Sequence, residues 1–110
     1  ADSVDYPDFA HRLAAAIGRG EAERGLLVCG SGQGMAMAAN RHRGVRAALA
    51  LDEDSARLSR EHNDANVLVL PARCISEDES VEILKRWLNT PFAGGRHSRR
   101  VAKIEEGEGT

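Results

Sequence analysis

The sequence predicts an α/β protein: a parallel sheet with helices packed on its faces. Two observations carry this. Short continuous apolar runs, GLLVC (25–29), VRAALAL (45–51) and VLVL (67–70), alternate with stretches of helical period, and runs of that kind are what strands buried on both faces require. A loop with three glycines in five residues, Gly30 to Gly34, follows the first run directly, as at a strand-to-helix handover.

The elements follow in order. From Pro7, the residues Phe9, Leu13 and Ile17 recur every fourth position with alanines between them; proline suits a first helical turn, and the helix ends near Gly18 to Gly20. The first strand, Leu26 to Cys29, comes next. The glycine loop opens a second helix through about Arg43, with Gly44 as a left-handed cap. Val45 to Leu51 reads as the second strand, and DEDSARLSREHN (52–63) as a helix whose acidic start complements the helix dipole. Val67 to Leu70 is the third strand. Ser76 and Glu79 then form an S-x-x-E capping box ahead of Val81, Leu84 and Leu88, so a helix runs to about Asn89. TPFAGG breaks it, and a last helix through Val101 and Ile104 frays over residues 105–110.

At 110 residues, 42% of them hydrophobic, the chain is expected to form one domain, residues 1–110, with one modest core. A net charge of −2 gives no global field toward nucleic acid or a membrane surface. Two cysteines, Cys29 and Cys74, argue for a reducing compartment rather than a disulfide scaffold. No apolar run approaches the roughly 18 residues of a membrane helix. A soluble, cytoplasmic protein is the expectation. Three strands make a small sheet, and the first helix has no strand before it, as in a doubly wound domain that lacks its first unit.

The glycine loop poses the chemical question, because Cys29 stands at the carboxyl end of its strand, where open α/β sheets bind ligands. One reading of Cys29 is a small buried hydrophobe. A phosphate nucleophile of the C-x5-R type needs arginine where Met35 stands. A nucleotide P-loop needs Gly-Lys-Ser/Thr where Gly34, Met35 and Ala36 stand. A dinucleotide fingerprint survives in part, through Gly30, Gly32 and Asp52, but its third glycine falls at Met35. Proton transfer remains. Backbone N–H groups from Gly30 to Gly34 make an anion cradle, and their field favours a thiolate. A base beside an oxyanion cradle is the pair that removes a proton next to a carbonyl and holds the resulting enediolate.

Other polar groups fit that chemistry. His62 and Asn63 stand at a helix end before the third strand, where the bland reading is a solvated cap. Arg73 follows the third strand at the same edge as Cys29. GGRHSRR packs Arg96, His97, Arg99 and Arg100 into five residues, and the spacing of four puts Arg96 and Arg100 on one helical face. A nucleic-acid patch is disfavoured, since aromatics are 4% of the chain; arginine pairs that grip a phosphate explain the cluster. RHRGVR (41–46) reads as a solvated helix end.

The blocks DYPDFA, CGSGQGMAMAAN, GVRAALA, SREHNDANVLVL and GGRHSRRV, in this order and spacing, resemble the ribose-5-phosphate isomerase B family, which includes isomerases of galactose and allose 6-phosphates. The resemblance covers nearly the whole chain. It implies a metal-free aldose–ketose isomerase without cofactor, on a Rossmann-like sheet with helices on both faces. It also implies a homo-oligomer, dimer or tetramer, with active sites shared between subunits and a phosphorylated sugar as substrate. Carried over by position, Cys29 resembles the enediol-forming base. Gly30, Ser31, Gly32 and Gly34 resemble the cradle, with Ser31 counted among the catalytic residues, and His62 matches the residue assigned to ring opening. Asn63 matches a sugar contact, and Arg73, Arg96 and Arg100 the ligands of substrate and phosphate. Tyr6 and His97 fall at positions lining the same pocket. Some members place a glutamate base on the glycine loop; Met35 stands there here, so this chain is of the cysteine type.

The front of the chain departs from the family pattern, which begins with a strand ending in an Asp-His pair, a helix and a second strand. A βαβ unit's worth of roughly 30 residues or more is expected to be absent, which accounts for the orphan first helix. Two function classes stay open: an isomerase of ribose 5-phosphate or of hexose 6-phosphates, and a non-catalytic sugar-phosphate-binding or partner subunit. Nucleotide binding is a third, weaker option.

Overall fold

The computed structural model describes residues 5–106. Its elements are α1 (Tyr6–Gly18), β1 (Gly25–Cys29), α2 (Gln33–Ala39), β2 (Ala47–Leu49), α3 (Glu53–Asn63), β3 (Val67–Pro71), α4 (Glu77–Leu88) and α5 (Arg96–Glu106). The three strands form one parallel sheet in the order β1-β3-β2. Cys29 pairs with Pro71, and Ala47 with Val67. The expected alternation of strand and helix is therefore what the chain adopts.

All five residues of β3 are buried, as its unbroken apolar run requires of a central parallel strand. On one face of the sheet Leu27, Val67 and Val69 pack against Ala10 and Ala14 of α1 and Met35 and Ala39 of α2. The other face sets Leu68 and Leu70 against Ala56 of α3 and Ile83 and Trp87 of α4. Burying each large side chain contributes about 1.5–3 kcal/mol, so these two layers hold the sheet that positions every loop described below. Both long return helices start on capping boxes: Asp52 accepts from the Ser55 N–H at 2.7 Å, and Ser76 from the Glu79 N–H at 3.1 Å. The second of these is the box expected from Ser76 and Glu79. Along β1, Leu26 and Val28 are 42% and 52% exposed, although their partners Leu68 and Leu70 are buried. Among the described residues, β1 is an edge strand with an open apolar flank.

Four sequence expectations need correction. Helix α2 stops at Ala39 rather than near Arg43. Its C-cap, Asn40, donates from Nδ2 to the Ala47 carbonyl and accepts the Ala47 N–H on Oδ1. The chain must turn there to reach β2. Gly44 is left-handed as expected (φ 83°), but in the following turn. Strand β2 is shorter than residues 45–51, because the Asn66 side chain takes the Arg46 N–H at 2.8 Å in place of a ladder partner. Arg46 is not solvated: its side chain is 17% exposed and paired with Asp64 and Glu105. Finally, Glu105 and Glu106 belong to α5, and Glu105 accepts the Gly44 N–H at 3.0 Å. The last four residues of the expected frayed tail lie outside the described residues. Among the described residues no helix is long and apolar enough to cross a membrane.

Candidate active site

At the carboxyl edge of the sheet, two loops run side by side. The Cys29 carbonyl accepts the Ala72 N–H at 2.7 Å, and the Gly30 carbonyl accepts the Arg73 N–H at 3.0 Å. Cys29 ends β1 and is half-buried against the α1/α2 layer. Arg73 is laid over Gly30 so closely that a Cβ there would stand 3.1 Å from its Nε. Gly32 caps α2 with φ 79°, and a Cβ on it would meet Leu49 Cδ1 at 2.6 Å. No side chain caps this helix start, so the first N–H groups of α2 have no partner in the helix and are available to a ligand. The Tyr6 phenol occupies the space above Gly34, where any Cβ would collide with it. Ser31 is exposed between them. The structure thus brings together Tyr6, Cys29, Gly30, Ser31, Gly32, Gly34 and Arg73. Chemically this is a thiol, a bank of N–H donors and one cation.

The other candidates gather elsewhere. His62, in the last turn of α3, stacks on His97 with ring centroids 4.3 Å apart and planes 15° from parallel. It is half-buried, so the solvated-cap reading fails. Two left-handed glycines, Gly94 and Gly95, turn the chain into α5, and the Ala93 N–H anchors this turn on the Glu61 carbonyl at 3.0 Å. His97 is 9% exposed. Burial first, then His62, Arg96 and Arg100, hold its pKa below the usual imidazole value. Arg96, Arg100 and Asn63 are exposed beside it. An anion bound by the two guanidiniums would offset the charge that His97 now avoids sharing.

The two groups stand at opposite ends of the sheet. Cys29 and Arg73 lie at or just beyond the carboxyl ends of β1 and β3, whereas α3 returns His62 and Asn63 to the amino end of β3. The five residues of β3 alone span about 13 Å, too far for one small sugar to touch both groups of the same copy.

The family model described as Ribose/Galactose Isomerase matches residues 1–104. The chain belongs to that family. It is 40% identical over 104 residues to ribose-5-phosphate isomerase B of Escherichia coli, a match that covers 94% of this chain and 70% of the relative. A ribose 5-phosphate isomerase structure from Thermotoga maritima superposes with a TM-score of 0.92 at 54% identity, over 96% of this chain and 72% of that one. The Mycoplasma genitalium ribose-5-phosphate isomerase B, solved with ribulose-5-phosphate bound, gives 0.93 at 42% identity, over 99% and 72%. The chain thus spans about seven tenths of the length of these relatives, and the α/β fold of the ribose/galactose isomerases is the one described above.

Sequence reasoning missed the residues that brace the second group in this family member. Arg60, 5% exposed, donates from Nε to the Thr90 carbonyl (3.1 Å) and from Nη1 to the Ala65 carbonyl (2.6 Å) and Asp64 Oδ1 (3.0 Å). Asp64 adopts a left-handed conformation, φ 50°, at the C-cap of α3, and Arg46 approaches its other oxygen at 3.6 Å. The turn after His62 and Asn63 is therefore clamped by two arginines.

Proposed function

We propose that this chain is a metal-free aldose–ketose isomerase that interconverts ribose 5-phosphate and ribulose 5-phosphate, with Cys29 as base, in a reducing cytoplasm. The Cys29 thiolate takes the proton from carbon 2 of the open-chain aldose. The electron pair moves into the bond between carbons 1 and 2, and the enediolate oxygen is held by the N–H groups of Gly30 to Gly34 and the Ser31 hydroxyl. The thiol returns a proton to carbon 1 as the hydroxyl proton of oxygen 2 passes to oxygen 1, which leaves the ketose. Because the cradle is preorganised before charge develops, it favours the transition state over the substrate. The observation that carries this reading is Cys29 at the end of β1 with Arg73 laid over Gly30 and Tyr6 over Gly34.

The remaining functions come from a second copy. His62 opens the sugar ring, Asn63 contacts the sugar, and Arg96 and Arg100 bind the phosphate with His97 beside them. Supplying them in trans meets the separation of the two groups, and a two-fold axis then builds two equivalent sites. A coupled assay on the protein as expressed tests the activity. Ribose 5-phosphate should yield ribulose 5-phosphate without added metal. Turnover of a hexose 6-phosphate instead would move the substrate class, and turnover of neither would overturn the enzymatic reading.

A further inference from the structure

A cavity of about 470 Å³ opens at the amino end of the sheet, between the α2–β2 turn, the end of α3 and the end of α5. Of its lining residues only Asn63 has a part in the reaction above, and its size lies within the range of small-molecule sites, roughly 300–1,000 Å³. Buried Val45, Ser59 and Ala65 form its floor, with Ala47, Ala48 and Ile104 adding apolar wall. Three cations line it: Arg41, Arg43 and Arg46. Arg46 is already matched by Asp64 and Glu105. Arg41 and Arg43 are exposed and, among the described residues, make no ion pair. His42, between them, contacts His11 through its Nε2 at 2.6 Å, which leaves Nδ1 for another partner. Burial, and then His11, lower its pKa, so near neutral pH the ring adds a hydrogen-bonding group rather than a third free charge. Asn40 is occupied with Ala47.

An apolar floor beneath two unmatched guanidiniums matches a ligand with an apolar planar body and a terminal phosphate. We propose that this cavity is a second binding site, for a phosphomonoester of the nucleoside monophosphate class, with Arg41 and Arg43 on the phosphate and the base against Val45, Ala48 and Ile104. The RHRGVR stretch then serves recognition rather than solvation. Bidentate guanidinium contacts are the strong form of such an interaction.

Calorimetric titration with AMP, adenosine and inorganic phosphate tests this. AMP should bind, with adenosine and phosphate each at least about tenfold weaker, the effect of losing one charge-assisted contact or the buried body. The double variant R41A/R43A should weaken AMP by at least about tenfold while its thermal melt stays unchanged, since neither side chain is paired. The variant R96A/R100A should leave AMP affinity intact. Absence of AMP binding would overturn the proposal. So would equal binding of adenosine and AMP, or loss of AMP binding in R96A/R100A but not in R41A/R43A, which would place the nucleotide on the phosphate group beside His97.

Discussion

The imidazoles of His62 and His97 lie face to face, 4.3 Å between centroids, although 35 positions separate them in the chain. Burial of His97 first, and then its neighbours His62, Arg96 and Arg100, hold its pKa below the usual imidazole value. An unfolded chain has no such constraint: its histidine titrates near 6.5.

The sign of the stability effect follows. Between the lowered folded pKa and about 6.5 the unfolded state binds more protons, so stability is full above about pH 6.5 and falls as pH drops below it. His42, whose pKa is also lowered, adds in the same direction. Urea midpoints at pH 7.5 and 5.5 should show the loss, and H97Q should lose less over that interval than the parent protein. An identical decline in both would mean that His97 titrates as an unfolded residue does.

Cys29 carries the next prediction. If Cys29 is the base, C29A should lower turnover by at least about a hundredfold, the usual contribution of positioned acid–base catalysis, with the melt little changed because the side chain is only half-buried. C74A should be nearly silent, since Cys74 is exposed in the turn after β3. Equal losses in the two variants, or none in either, would remove the thiol from the mechanism.

Arg96 and Arg100 should behave differently from the base. A phosphate remote from the reacting carbons is bound alike in ground and transition states, so R96A or R100A should raise KM more than it lowers kcat. Inorganic phosphate should compete with substrate. A rate unmoved by phosphate well above KM would assign these arginines elsewhere.

Local chemistry made much of this molecule readable. Ser76 and Glu79 announce a helix start because a capping box is a contact between residues three apart, and β3 is plain because a central parallel strand must be apolar on both faces. The position of Cys29 was legible for the same reason: it ends an apolar run at a glycine loop. Arg46 was not. Its partners, Asp64 and Glu105, lie 18 and 59 positions away, so within RHRGVR it looks like any solvated cation. Arg60 is similar, since it is satisfied by carbonyls of Thr90 and Ala65 that have no signature in side-chain pattern. The stacking of His62 on His97 exists only once α5 folds back on α3. Tyr6 was tied to the pocket through family resemblance alone, and its place over Gly34 has no signal in the local sequence.

The separation of Cys29 from His62 leads to the last prediction. Where each site combines Cys29 of one copy with His62 of another, C29A and H62A each damage every site of their own homodimer. Mixed and re-associated at equal amounts, half of the dimers pair one variant with the other. In such a dimer one site collects both defects and the other collects none. Random re-association should therefore restore about a quarter of wild-type activity from two nearly inactive preparations, as a two-fold isologous arrangement demands. Light scattering should first show that each variant is at least dimeric. A mixture no more active than the average of its parts, or variants that run as monomers of about 12 kDa, would put all the catalytic groups in one copy and contradict the shared site.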